Sequence, residues 1–146
     1  MTRTRPVTRD DVLDTLDVVL SDFEAAIDGV TDPVVQVRRA TEVYALRHAT
    51  HPRETLVVNH ETVHLDDPDR TRAQHMRRTH ERRFRAIIEQ GKQEGVFAVE
   101  SPKLASFAIR EMCVSIARWF RDDGEFSTEV VARQHAAFAL GMLRVG

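Results

Sequence analysis

The chain has 146 residues, 42% of them hydrophobic and 30% charged, with a formal net charge of -2. That length and balance suit one domain with a buried core and exclude a disordered, highly charged chain. No apolar run approaches the roughly 18–20 residues of a membrane span and the opening Met1–Asp11 is too polar for a secretory leader, so the composition points to a cytoplasmic domain with no disulfide at its single cysteine, Cys113.

In chain order, residues 1–7 read as a disordered segment and residues 8–146 as one helical domain. Val12, Leu13, Leu16, Val19, Leu20, Phe23 and Ile27 recur in steps of three and four, the spacing that lines one helical face. Thr8 with Asp11 approximates an N-terminal cap, and Gly29 with Thr31-Asp32-Pro33 supplies the stop. Asp32 and Pro33 then open a second helix whose inner face carries Val34, Val37, Ala40, Tyr44 and His48, up to His51-Pro52. A shorter segment from Arg53 to about His64 carries Leu56, Val57 and Val63 and is broken by Asp66-Asp67-Pro68-Asp69.

A long helix is expected from about Asp69 to Gln93, with Ala73, Met76, Phe84, Ile87 and Ile88 inward and Gly91 and Gly95 at a fraying end. Ser101 and Pro102 start a fifth helix, apolar on more than one face from Leu104 to Phe120. Asp122-Asp123-Gly124 forms a turn, and Ser127 caps a sixth helix bearing Val130, Val131, Phe138, Leu140, Met142 and Leu143. No strand-like alternation interrupts this pattern, so the fold class is all-α, a bundle of about six helices.

Two stretches carry a family likeness. His80-Glu81-Arg82-Arg83-Phe84-Arg85-Ala86-Ile87-Ile88-Glu89-Gln90-Gly91, continuing to Gly95-Val96-Phe97, and Ala117-Arg118-Trp119-Phe120-Arg121 through Gly124 to Ser127, resemble the C-terminal domains of TetR-type transcriptional regulators. In that family a tryptophan-centred helix end, a short Asp/Gly turn and a Ser or Thr cap join the last two long helices. Trp119, Gly124 and Ser127 match these features. The resemblance implies a ligand-binding and dimerisation domain of a repressor in which the last two helices of each subunit form an intersubunit four-helix bundle. It implies, too, that ligand entry shifts the first long helix and respaces paired DNA-binding heads. A complete member carries a three-helix DNA-binding unit ahead of the position of Thr8. That unit is expected to be missing here, so DNA would be a partner only where a helix-turn-helix domain is supplied.

Inward spacing and the resemblance together nominate Tyr44, Leu56, Met76, His80, Phe84, Phe107, Arg110, Glu111 and Val114 for a pocket that takes a small hydrophobic effector. A fatty acyl-CoA suits it, as does an apolar aromatic or steroid-like molecule. Polar Arg110, Glu111, Cys113 and Ser115 among apolar neighbours suit a pocket wall and a buried interface equally. Arg118, Trp119, Val131, His135, Phe138 and Met142 are the expected homodimer contacts.

Two motifs point elsewhere. His60-Glu61-Thr62-Val63-His64 fits H-E-x-x-H, in which two imidazoles on one helical face bind zinc while the glutamate activates water. A third ligand at a fitting spacing is missing, so His60 and His64 are metal candidates without an assigned catalytic role, and zinc-dependent hydrolysis is the enzymatic alternative to a non-enzyme. The arginines Arg70, Arg72, Arg77, Arg78, Arg82, Arg83 and Arg85 suit phosphate binding, although such a run is more often a solvated face, with Glu81 and Glu89 as helix-spaced partners. No cofactor is implied, nor a membrane partner. A pure dimerisation module with a filled interior is the remaining alternative.

Overall fold

A computed structural model describes residues 8–61 and 65–144. Residues 1–7, expected to be disordered, lie outside that range, as do Thr62, Val63 and His64 of the H-E-x-x-H motif. The described residues form six helices: α1 (Arg9–Ile27), α2 (Pro33–Thr50), α3 (Pro52–Glu61), α4 (Asp67–Gln93), α5 (Pro102–Trp119) and α6 (Thr128–Arg144). None is long and apolar enough to cross a membrane.

The helix starts are written in the sequence because each needs a side chain to satisfy amides that have no partner within the helix. Thr8 and Asp11 form a reciprocal capping box, Thr8 Oγ1 accepting from the Asp11 amide at 3.2 Å and Asp11 Oδ2 from the Thr8 amide at 2.9 Å. Asp32 accepts from the Val34 amide at 2.9 Å, Ser101 from Leu104 at 3.1 Å and Ser127 from Val130 at 3.2 Å. Asp66 does the same for Asp69, so the Asp-Pro cluster that looked like a pure break begins α4 two residues before Asp69. Gly29, at φ +71, and Gly95, at φ +79, take the left-handed backbone that ends α1 and α4.

Gly91 is no fraying point. It is buried inside α4, with the Phe97 ring packed where a Cβ would stand, and its carbonyl accepts from the amides of Val96 and Phe97 at 2.9 and 3.1 Å. The following loop is tied to the far end of the chain by the Ala98 amide, which donates to the Leu143 carbonyl at 2.8 Å.

Three apolar clusters hold the bundle. Phe23, Val37, Phe84, Ile88, Ile109 and Leu143 bring α1, α2, α4, α5 and α6 into one. Val12, Leu13, Leu16, Val58, Ala73 and Met76 join α1, α3 and α4 in a second. Ala45, Ala49, Cys113, Ile116, Val131 and Ala132 join α2, α5 and α6 in a third. α2 packs most extensively on α6, where alanines on both helices allow close approach; within one subunit α6 leans on α2 far more than on α5.

Candidate functional site

Beside the second cluster, a cavity of about 40 Å³ is lined by α1 (Thr15, Leu16, Val19, Leu20), α2 (Tyr44, His48), α3 (Thr55, Val58), α4 (Met76, Arg77, His80) and α5 (Arg110). The helical repeat puts these residues there. Tyr44 and His48 are four apart on α2, and Met76 and His80 four apart on α4, so each pair shares a face. α1 supplies the whole of one apolar wall.

The polar groups form a connected cluster. The His80 ring stacks on Tyr44, with centroids 4.6 Å apart and planes at 29°, and its edge meets Phe23 at 5.3 Å. Tyr44 also meets His48 edge-on at 4.6 Å. Arg110 Nε donates to His80 Nδ1 at 3.1 Å, while its guanidinium lies 5.8 Å from the centre of the Tyr44 ring. His48 Nδ1 donates to the Tyr44 carbonyl at 2.8 Å. Arg77, on the rim, donates to the Val58 carbonyl.

Burial sets the charge states. Both imidazoles are desolvated and stand near the Arg110 cation, which holds His48 down to about 4 and His80 to about 3. Both rings are therefore neutral at pH 7. The tautomers follow from the hydrogen bonds: His80 accepts at Nδ1 and carries its proton on Nε2, whereas His48 donates from Nδ1 and keeps a lone pair on Nε2. Desolvation raises the Tyr44 phenol and pushes the buried Cys113 thiol up to about 12, so Cys113 is a small apolar filler and no nucleophile. Arg77 is shifted below the usual arginine value by the same desolvation.

Of the residues nominated from sequence, Tyr44, Met76, His80 and Arg110 come together at this cavity. The others do not line it. Phe84 is turned into the main core at 2% exposure, and Val114 is buried on another side of α5. Leu56 is half-buried, flanked by the lining residues Thr55 and Val58. Phe107 and Glu111 are exposed because α5 directs Leu104, Phe107 and Glu111 outward and Ser106, Ile109 and Cys113 inward.

Sequence reasoning did not nominate Thr15, His48, Thr55, Val58 or Arg77 for the site, and read Leu16, Val19 and Leu20 only as the inner face of the first helix. The signal for Arg77 was its place between Met76 and His80 on the inward stripe, hidden by the run of arginines around it. Glu81 does pair with Arg85, at 3.3 Å, and it also accepts from Ser106 Oγ at 2.9 Å, while Arg83 reaches across to Glu24 at 2.7 Å.

The nominated dimer contacts divide likewise. Trp119, Phe138 and Met142 are 48%, 54% and 38% exposed, and His135 stacks on Trp119 at 6.1 Å and approaches Phe138 at 5.7 Å. Arg118 is exposed beside them. Val131 is buried against α2 and α5 in the subunit's own core, since α2, lying beside α6, covers that face. For the metal motif, the side chains of His60 and Glu61 and all of His64 lie outside the described residues; among the described residues no cluster of three or more metal-ligating side chains occurs.

Residues 30–143 match the family described as tetracyclin repressor-like, C-terminal domain. The chain belongs to that family. No curated protein matches it. Among solved structures it is similar to a TetR-family regulatory protein from Rhodococcus, with a TM-score of 0.85 at 22% identity over 92% of this chain and 71% of that one. The TetR-family transcriptional regulator PfmR from Thermus thermophilus gives a TM-score of 0.81 at 28% identity, over 91% and 72% of the two chains. AibR, solved in complex with isovaleryl coenzyme A and operator DNA, gives 0.79 at 20% identity, over 93% and 72%.

Proposed function

We propose that this domain senses a small, largely apolar effector inside the bundle and dimerises through the outer faces of α5 and α6, as the regulatory half of a transcriptional repressor. The observation that carries the proposal is the Tyr44–His48–His80–Arg110 cluster: a polar constellation gathered from three helices at a cavity whose other walls include Leu16, Val19, Leu20, Val58 and Met76. Bundles place ligands in such positions, where apolar walls give affinity and a few polar groups give orientation.

The size of the cavity bears on mechanism. About 40 Å³ accommodates little more than a water molecule, so an organic effector must push a wall aside. The α1 wall is the one to yield, since it contributes only Thr15 and aliphatic side chains. In relatives of this family the helix equivalent to α1 stands next to the DNA-binding head, so its displacement is a route from pocket to operator. The isovaleryl coenzyme A bound to AibR supports an acyl group as one candidate occupant.

Thermal unfolding against acyl-CoA esters, free fatty acids, aromatic acids and zinc tests it, because a ligand that binds only the folded state raises the melting point. A saturable rise with one organic class is expected. No rise with any of them would leave a dimerisation module, and a rise with zinc alone would favour hydrolysis at His60, Glu61 and His64.

A further inference from the structure

Both charged side chains that line the cavity are cations, while Glu111, an exposed carboxylate outside the lining, acts on Tyr44 and Arg77. Among the described residues the lining holds Arg110 and Arg77 and no aspartate or glutamate. Arg110 forms no ion pair with a described carboxylate; its Nε–H is engaged by the neutral His80 ring, and Tyr44 offers only the face of its π system. The donors left to meet a ligand are the Arg110 Nη–H groups, the His80 Nε2–H and the Tyr44 hydroxyl; the acceptors are the His48 Nε2 lone pair and the hydroxyl oxygens of the lining. Thr15 and Thr55 have already given their hydroxyl protons to the Asp11 and His51 carbonyls, at 2.8 and 3.0 Å.

Arg110 is half-buried and its hydrogen-bond partner is neutral, so a ligand that brings a negative charge gains charge-assisted hydrogen bonds that a neutral ligand of equal shape does not make. Planar guanidinium and planar carboxylate match in geometry. We infer that the occupant is a small organic acid, its carboxylate received by Arg110 with His80 and Tyr44, its apolar remainder lying along Leu16, Leu20 and Met76.

This rests on the sensing function proposed above and narrows its ligand to the free acid. A thioester presents an uncharged carbonyl to Arg110, and the phosphates of a coenzyme A ester would have to stay outside so small a cavity.

The experiment compares hexanoate, hexanamide and hexanoyl-CoA by thermal shift and titration calorimetry on the full chain, on Arg110→Gln and on Arg110→Lys. The expected result is a saturable stabilisation by hexanoate, binding of hexanamide at least about tenfold weaker, loss of that preference in Arg110→Gln and its partial return in Arg110→Lys. Hexanamide or hexanoyl-CoA binding as tightly as hexanoate would overturn the acid assignment and leave the sensing function standing, as would hexanoate affinity indifferent to Arg110→Gln. Absence of binding by all three would remove the acid assignment, and a flat response to the wider effector panel as well would remove the sensing function. The acid-to-amide contrast on the unaltered chain decides the question even if Arg110→Gln fails to fold.

Discussion

His48 and His80 titrate at about 4 and about 3 because the bundle desolvates them and Arg110 stands beside both. In the unfolded chain the same rings titrate near 6.5, so between that value and the folded ones the unfolded state binds more protons and stability falls as pH falls. Urea titrations at pH 7 and pH 5 should show a loss of about 2 kcal/mol for each imidazole, and His48→Leu should remove roughly half of that slope. A stability unchanged between the two pH values would mean that the folded rings titrate where the unfolded ones do. At this scale the sequence was informative where a polar residue fell on an apolar stripe, as at Tyr44, His80 and Arg110. Thr15 escaped notice because a threonine in a helix commonly bonds back to its own turn, as it does here with Asp11. Nothing in its spacing distinguishes a cavity wall from a surface.

Elements were legible wherever a cap or a breaker had a local cause. The capping box at Thr8, the Asp32-Pro33 start and the Gly29 stop depend only on neighbouring residues, and each stands where the sequence places it. Gly91 was misjudged because its reason is tertiary: it is a glycine so that Phe97 can fold back onto α4. A Cβ at Gly91 would stand 2.1 Å from the Phe97 ring, so Gly91→Ala should destabilise the domain by about 1–3 kcal/mol although alanine is the better helix former. Denaturant melts of Gly91→Ala beside Gly95→Ala, which meets no neighbour but has positive φ, separate the packing penalty from the backbone one. A Gly91→Ala chain as stable as the parent would show that Phe97 moves aside freely. The pairing of α2 with α6 was equally illegible, since alanine stripes do not announce their partner.

At the scale of the molecule, the large apolar side chains exposed among the described residues are Leu104 and Phe107 on α5, Trp119, Phe138 and Met142 around the α5–α6 edge, and Val18, Val96 and Phe126. A patch like that at the α5–α6 edge marks an association surface. On the proposed dimer, Phe138→Glu places a charge at the symmetric contact, so sedimentation should find the monomer at concentrations where the unaltered chain is dimeric, with helicity retained; a variant that sediments unchanged would move the interface elsewhere. Family membership and helix order were legible because they depend on patterns repeated along the whole chain, whereas Val131 was misplaced because a hydrophobic helix residue fits a core and an interface alike.

One last consequence comes from α1 forming a wall of the cavity. If the effector enters only after that helix lifts, the pace of the response is set by how often α1 lets go of Val58, Ala73 and Met76, and not by how often effector and protein collide. Raising the effector concentration would then speed the response only to a plateau, and the height of that plateau is a property of the protein alone.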